Sequence, residues 1–174
     1  NGLVASQVDH GSMAYLLSTP IKRTTVVRTK AIYLMTALLA MFLVFTLVGV
    51  TTIKIFQGDV EVSISDFLVL NLGLFLLMFA TSGISFLFSC MFNLSKHSLA
   101  LGGGIPIAFF LFDLMASVSE DLEYFKYATI NTLFPKDAIL DGESFILYFV
   151  ILAVVGLVLY GVGIRIFKER DLPL

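Results

Sequence analysis

The sequence predicts an all-α integral membrane protein that crosses the bilayer four times, and three observations lead there. Of 174 residues, 58% are hydrophobic and only 14% are charged, with a mean hydropathy of +0.96. Soluble domains carry about a quarter charged residues, so the natural solvent for this chain is lipid. Second, four apolar stretches are long enough to span about 30 Å of hydrocarbon, which takes about 20 helical residues. Third, the basic residues gather on alternate sides of those stretches, as the topology of a multi-pass protein requires.

The predicted spans run over residues 31–53, 67–92, 99–116 and 145–167. The first is free of charge. The second is also uncharged, but it holds Asn71 and a run of small residues, Ala80, Ser82, Gly83, Ser85 and Ser89. Small and hydroxylated residues let helices approach closely in lipid, so Ser82, Ser85 and Ser89 mark a packing face. The third span is the least regular. Gly102-Gly103-Gly104 and Pro106 predict a loosened or broken helix near one end. The fourth carries Gly156, Gly161 and Gly163.

Orientation follows from the flanks. Residues 1–30, 93–98 and 168–174, with Arg165 at the end of the last span, contain Lys22, Arg23, Arg28, Lys30, Lys96, Arg165, Lys168 and Arg170. That is eight of the eleven basic residues. Only Lys54, Lys126 and Lys136 lie in 54–66 and 117–144, which carry nine acids. By the positive-inside rule both ends of this chain face the cytoplasm.

Several classes are disfavoured. A net charge of −2 and the lack of a dense Lys/Arg patch argue against nucleic acid. Cys90, the only cysteine, sits in an apolar run and reads as a buried, inert thiol with no internal disulfide. The start at Asn1 is not a signal peptide, and it leads us to expect further sequence before it.

The segment before the first span is the most informative. Asp9 can cap a short helix by accepting from its first-turn N–H groups, and Pro20 stops that helix at Thr19. Between them Met13, Leu16 and Leu17 fall at i, i+3 and i+4 and form one apolar face. Periodicity alone leaves two placements open for this face, the membrane surface or a groove on a partner protein. Within the spans, Asp113 is the one ionisable residue. Charges in a span often mark a pathway or an ion pair, although Asp113 lies near the outer end, where headgroups and water reach it. Asn71 is placed similarly and suits a hydrogen bond between helices. In the loop 117–144, Tyr124, Phe125, Tyr127 and Phe134 among acids suit an amphipathic element in the outer interface.

The run Gly11-Ser12-Met13-Ala14-Tyr15-Leu16-Leu17-Ser18-Thr19-Pro20-Ile21-Lys22-Arg23, with Lys30 ahead of a span, resembles the coupling-helix region of the ABC type-2 exporter permeases. Phe134-Pro135-Lys136-Asp137-Ala138-Ile139-Leu140 resembles the extracellular re-entrant hairpin before that family's last span, and the chain from Phe167 to Leu174 resembles its basic tail. The family usually has six spans, so the resemblance implies two more before this sequence. It also implies that 1–30 is a cytoplasmic coupling segment and 31–174 the transmembrane domain.

On this resemblance, Asp9, Gly11, Met13, Leu16, Leu17, Pro20 and Arg23 would couple the chain to a separate ABC ATPase subunit. ATP and magnesium would be held by that partner and no cofactor by this chain. A second permease subunit, identical or different, and membrane lipid complete the implied partners, in a bacterial cell membrane. The cargo, moved outward, would be hydrophobic or amphipathic: a peptide, a lipid-like molecule or a drug. The sequence lacks G-x-x-x-x-G-K-[ST], so the chain is not its own engine. Two other classes remain open. One is a non-transporting sensor or immunity component. The other is an intramembrane hydrolase, for which the only histidines, His10 and His97, lie in cytoplasmic segments.

Overall fold

Inside a bilayer no water is at hand for the backbone, so each crossing segment must satisfy its own N–H and C=O groups, which favours helices. The computed structural model describes residues 4–10, 22–56, 63–118, 124, 125, 127, 129–140 and 144–170. Its elements are α1 (Ala5–Asp9), α2 (Arg23–Phe56), α3 (Ile64–Met91), α4 (Ser95–Val118), a 3-10 turn (Ile130–Leu133), α5 (Lys136–Leu140) and α6 (Ile146–Glu169). No strand occurs among the described residues. Four helices, α2, α3, α4 and α6, are long and apolar enough to cross a membrane. The polar side chains within them are largely folded back on the backbone. Thr46 and Thr81 donate to the carbonyls of Phe42 and Leu77 at 2.7 and 2.8 Å, which removes an unpaired hydroxyl from lipid.

Two boundaries differ from expectation. Helix α2 has 34 residues, about 51 Å at 1.5 Å per residue, and starts at Arg23 rather than near Ala31. Arg28 and Lys30 therefore stand on the span's own helix, where their heads can reach the headgroup layer. Helix α4 is a single α-helix from Ser95 to Val118 with Pro106 inside it, so of the loosened or broken helix expected at Gly102-Gly103-Gly104 the outright break does not occur. The reason lies in the neighbouring span. Pro106 has no N–H to offer the carbonyl four residues earlier, which is that of Gly102. Ser85 of α3 donates its hydroxyl to that carbonyl instead, the kind of repair that lets proline survive in membrane helices.

The core lies along the α3–α6 seam. Phe79 stacks on Tyr160 with centroids 5.4 Å apart, and Phe86 meets the same tyrosine at 4.9 Å. Phe79 lies over Gly156 so closely that a Cβ there would run into its ring. Gly163 receives Phe86 in the same way, its Cβ position 3.1 Å from the ring. The Tyr160 hydroxyl is paired with Ser82 at 2.9 Å, so the only polar end of this stack is satisfied. Nearer the other end, Leu77, Ala80 and Leu152 form a second cluster, capped by Ile130 and Leu133 of the 3-10 turn and by Phe134 just after it. Helix α2 joins through Phe42, edge-on to Phe75 at 5.5 Å, and through Asn71, whose Nδ2 donates to Thr46 Oγ1 at 2.7 Å.

Candidate functional site

The candidate site is the end of the bundle where α1, the start of α2, the α3–α4 turn and the end of α6 meet. Helix α1 has only five residues, too few to be stable alone. It is held by burial: Val4 and Ala5 are wholly covered, and Val4 and Val8 share a cluster with Val27 of α2, Phe86 and Cys90 of α3, and Phe167 of α6. Polar bonds fix its position. The Ala5 N–H, an orphan donor of the first turn, donates to Ser89 Oγ of α3 at 3.1 Å. Lys30 of α2 donates to the Gln7 side chain.

Of the residues expected to couple, Asp9 is the one whose side-chain bond the structure describes. It is the last residue of α1, and its Oδ2 accepts from the Ser95 N–H at 3.1 Å. The carboxylate therefore caps α4, 86 residues away; the short helix expected after Asp9 lies outside the described residues. A negative charge at a helix N-terminus is favoured by both the free N–H groups and the helix dipole. The Ser95 N–H holds the Asp9 carboxyl below its ordinary value of 3.8, and the positive charges of His10 and Lys96 pull the same way.

The other side of the turn is strapped by Arg170. Its Nη1 donates to the Cys90 carbonyl at 2.7 Å and its Nη2 to Asn93 Oδ1. Cys90 lies in the last turn of α3, two residues before its Phe92 cap, where carbonyls lack helical partners, so a guanidinium suits both the geometry and the dipole. Nothing in residue type announced this strap, because a basic tail reads equally well as an orientation anchor. Ser89 and Ser85 were visible only as members of a small-residue face; their acceptors and donors come from distant sequence.

The remaining expected site residues are distributed as follows. Gly11, Met13, Leu16, Leu17 and Pro20 lie outside the described residues, and Arg23 is the first residue of α2. Asn71 is buried and makes the bond between helices expected of it. Asp113 is half-buried on α4 and has no hydrogen bond or ion pair to another described residue. It lies one residue beyond Phe112, whose ring meets Phe125 at 5.3 Å, so it stands at the end opposite Asp9. No group of His, Cys, Asp and Glu that could hold a metal ion occurs among the described residues.

What this end of the bundle can do is mechanical. It ties the stretch just before residues 11–21 to three spans through two backbone amides and one side-chain cation, that of Lys30. A comparison with family models matches residues 2–172 to the ABC-2 family transporter protein model. No curated protein and no solved structure matches the chain. With four membrane-crossing helices and a family match over nearly its whole length, the chain belongs to the ABC-2 transporter family, as a multi-pass permease subunit.

Proposed function

We propose that this permease works in an ATP-driven exporter whose engine is a separate ABC ATPase subunit. That subunit would take the Met13, Leu16 and Leu17 face into a hydrophobic groove, the helix-in-groove mode of recognition. Closure of the ATPase around ATP and magnesium would displace the coupling segment as a lever. One observation carries the reading: α1, directly before that segment, is fastened to α3 and α4 by the Ala5–Ser89 and Asp9–Ser95 bonds. A push delivered at 11–21 therefore has a route into the spans. Permeases would act in pairs, identical or different, in a bacterial cell membrane with both ends of this chain cytoplasmic. The basic bias of the flanks supports that orientation.

In this reading the element 129–140, seated on α3 and α6 through Ile130, Leu133 and Phe134, is a re-entrant hairpin that closes the outer mouth. The cargo is hydrophobic or amphipathic, moved outward along apolar helix faces. The test is a mild-detergent pull-down of the full-length protein, with mass spectrometry of what accompanies it, repeated with Leu16→Asp and Leu17→Asp. Co-purification of an ATPase subunit, lost in the two variants, is the expected result. A folded permease that brings no ATPase with it would overturn the exporter reading and leave the membrane topology standing.

A further inference from the structure

Helix α4 carries a discontinuity that its neighbours conceal. The Gly102 carbonyl loses its intrahelical donor to Pro106, and one hydroxyl from another span, that of Ser85, takes the place. Around this point the helix has little else to stiffen it. Gly102 is buried against α3, but a Cβ on Gly103 would touch only Leu99, at 3.7 Å, and one on Gly104 would meet nothing within 4 Å. Three successive glycines give the segment the weakest helix propensity in the bundle. On one side of it, the first turn of α4 is held to α1 by Asp9. On the other side, Ile107, Phe110, Leu111 and Leu114 are exposed on the described bundle, and apolar surface of this kind gives the far half no directional hold.

We propose that α4 is a hinged helix, with Gly102–Pro106 as the pivot and the Ser85–Gly102 bond as its latch. The arm Ser95–Leu101 moves with α1, and Ser85 is the positioning residue that sets whether the arm is locked in line with the rest of the span. When the hydroxyl lets go, the Gly102 carbonyl has no helical partner to return to, so the helix bends at the pivot. This device rests on the exporter reading only for what drives it, the displacement of 11–21. The hinge belongs to these residues whatever pulls on it.

The test uses the full-length protein in lipid nanodiscs, without nucleotide or partner, carrying Cys90→Ala so that labels can be placed. Spin labels at His97 and Lys168 report the arm, and labels at Met115 and Ile146 report the far half of the helix. Ser85→Ala should broaden the 97–168 distance distribution and leave the 115–146 pair as in the parent. It should also speed exchange of the amides of residues 99–105 about five- to tenfold, as expected for one lost hydrogen bond. Pro106→Ala restores a donor to Gly102 and should make Ser85 dispensable, so the double variant should behave as Pro106→Ala alone. Asp9→Ala, but not Asp9→Asn, which keeps an acceptor, should also broaden the 97–168 pair.

Parent-like distributions and exchange in Ser85→Ala would overturn the latch, and so would effects of the two substitutions that simply add. An Asp9→Ala protein with an unchanged 97–168 pair would overturn the coupling of the arm to α1. If Ser85→Ala does not fold, Pro106→Ala and the double variant decide the matter: equal exchange supports the latch, and faster exchange in the double variant refutes it. Because no ATPase takes part, failure of the exporter reading and failure of the hinge give separate signatures.

Discussion

Helices α3 and α4 are consecutive spans that pack against each other, yet they are held by different forces. Helix α3 buries nine residues, among them Gly73, Phe79, Gly83 and Phe86, whereas α4 buries only Ser98 and Gly102. The hold of α3 on α6 is shape: rings seated on glycines, with backbones brought close. The hold on α4 is a small set of hydrogen bonds, from Ser85 at the pivot and from Asp9 at its first turn. In lipid the apolar tails compete equally for apolar surface, so tight packing and polar bonds are what bind one helix to another. Packing spread over many atoms resists displacement in every direction. A few hydrogen bonds can be exchanged one at a time, which makes α4 the span suited to move and the α3–α6 pair the frame it moves against.

The same substitution placed in the two regions breaks this comparison most sharply. Gly156→Ala puts a methyl into the Phe79 ring, which is itself pinned between Phe75 and Tyr160. Overpacking of this kind costs about 1–3 kcal/mol, and the expected outcome is a clear fall in the midpoint of denaturation in mild detergent. Gly104→Ala meets open space and removes the entropic cost of a glycine, so it should stabilise by about 0.5–1 kcal/mol. It should also stiffen the pivot, read as slower amide exchange around residue 104. A Gly156→Ala protein as stable as its parent would mean that the α3–α6 seam is not the rigid frame.

A smaller effect is expected where α2 joins. Asn71→Ala removes the bond to Thr46, and hydrogen bonds between membrane helices average about 0.6 kcal/mol. The denaturation midpoint should shift slightly, and Asn71→Ala combined with Thr46→Val should cost no more than the larger single change. The mildest effect concerns Asp9, which is fully exposed to solvent. Its carboxyl is held below 3.8 by the Ser95 N–H, so the folded state favours the charged form. The contribution is complete above pH 3.8 and is lost as pH falls through the lower folded value. Protection of the Ser95 amide, corrected for intrinsic exchange, should therefore drop in that acid window, and Asp9→Asn should abolish the drop.

Several features were legible in the residues themselves. Asn71 in an uncharged span could only be tolerated with a partner, and a partner on another helix was the natural inference. The spans were legible to within about three residues at most ends, because mean apolarity and charge mark where lipid stops. Helix α2 begins ahead of the apolar span, since Arg23, Arg28 and Lys30 look like loop to a hydropathy reading while a helix readily continues into the headgroup layer. Three glycines and Pro106 announce a loosened or broken helix, and a proline four residues after Gly102 leaves that carbonyl without its helical donor. What the sequence could not show was that Ser85, on a face classed as packing, supplies the missing donor.

By itself, the sequence determined that this chain is helical with four spans and which transporter family it resembles, and it set the expectation of which flanks share a side. These follow from properties that add along the chain: hydrophobic length against bilayer thickness, and the count of basic residues on each flank. Only the tertiary structure decided which polar group answers which. Ser85 and Gly102 are 17 residues apart, Arg170 and Cys90 are 80, and Asp9 and Ser95 are 86. A hydrogen bond depends on a few tenths of an ångström between groups whose separation in sequence says nothing of their separation in space, so the continuity of α4 and the anchoring of α1 were settled by packing alone.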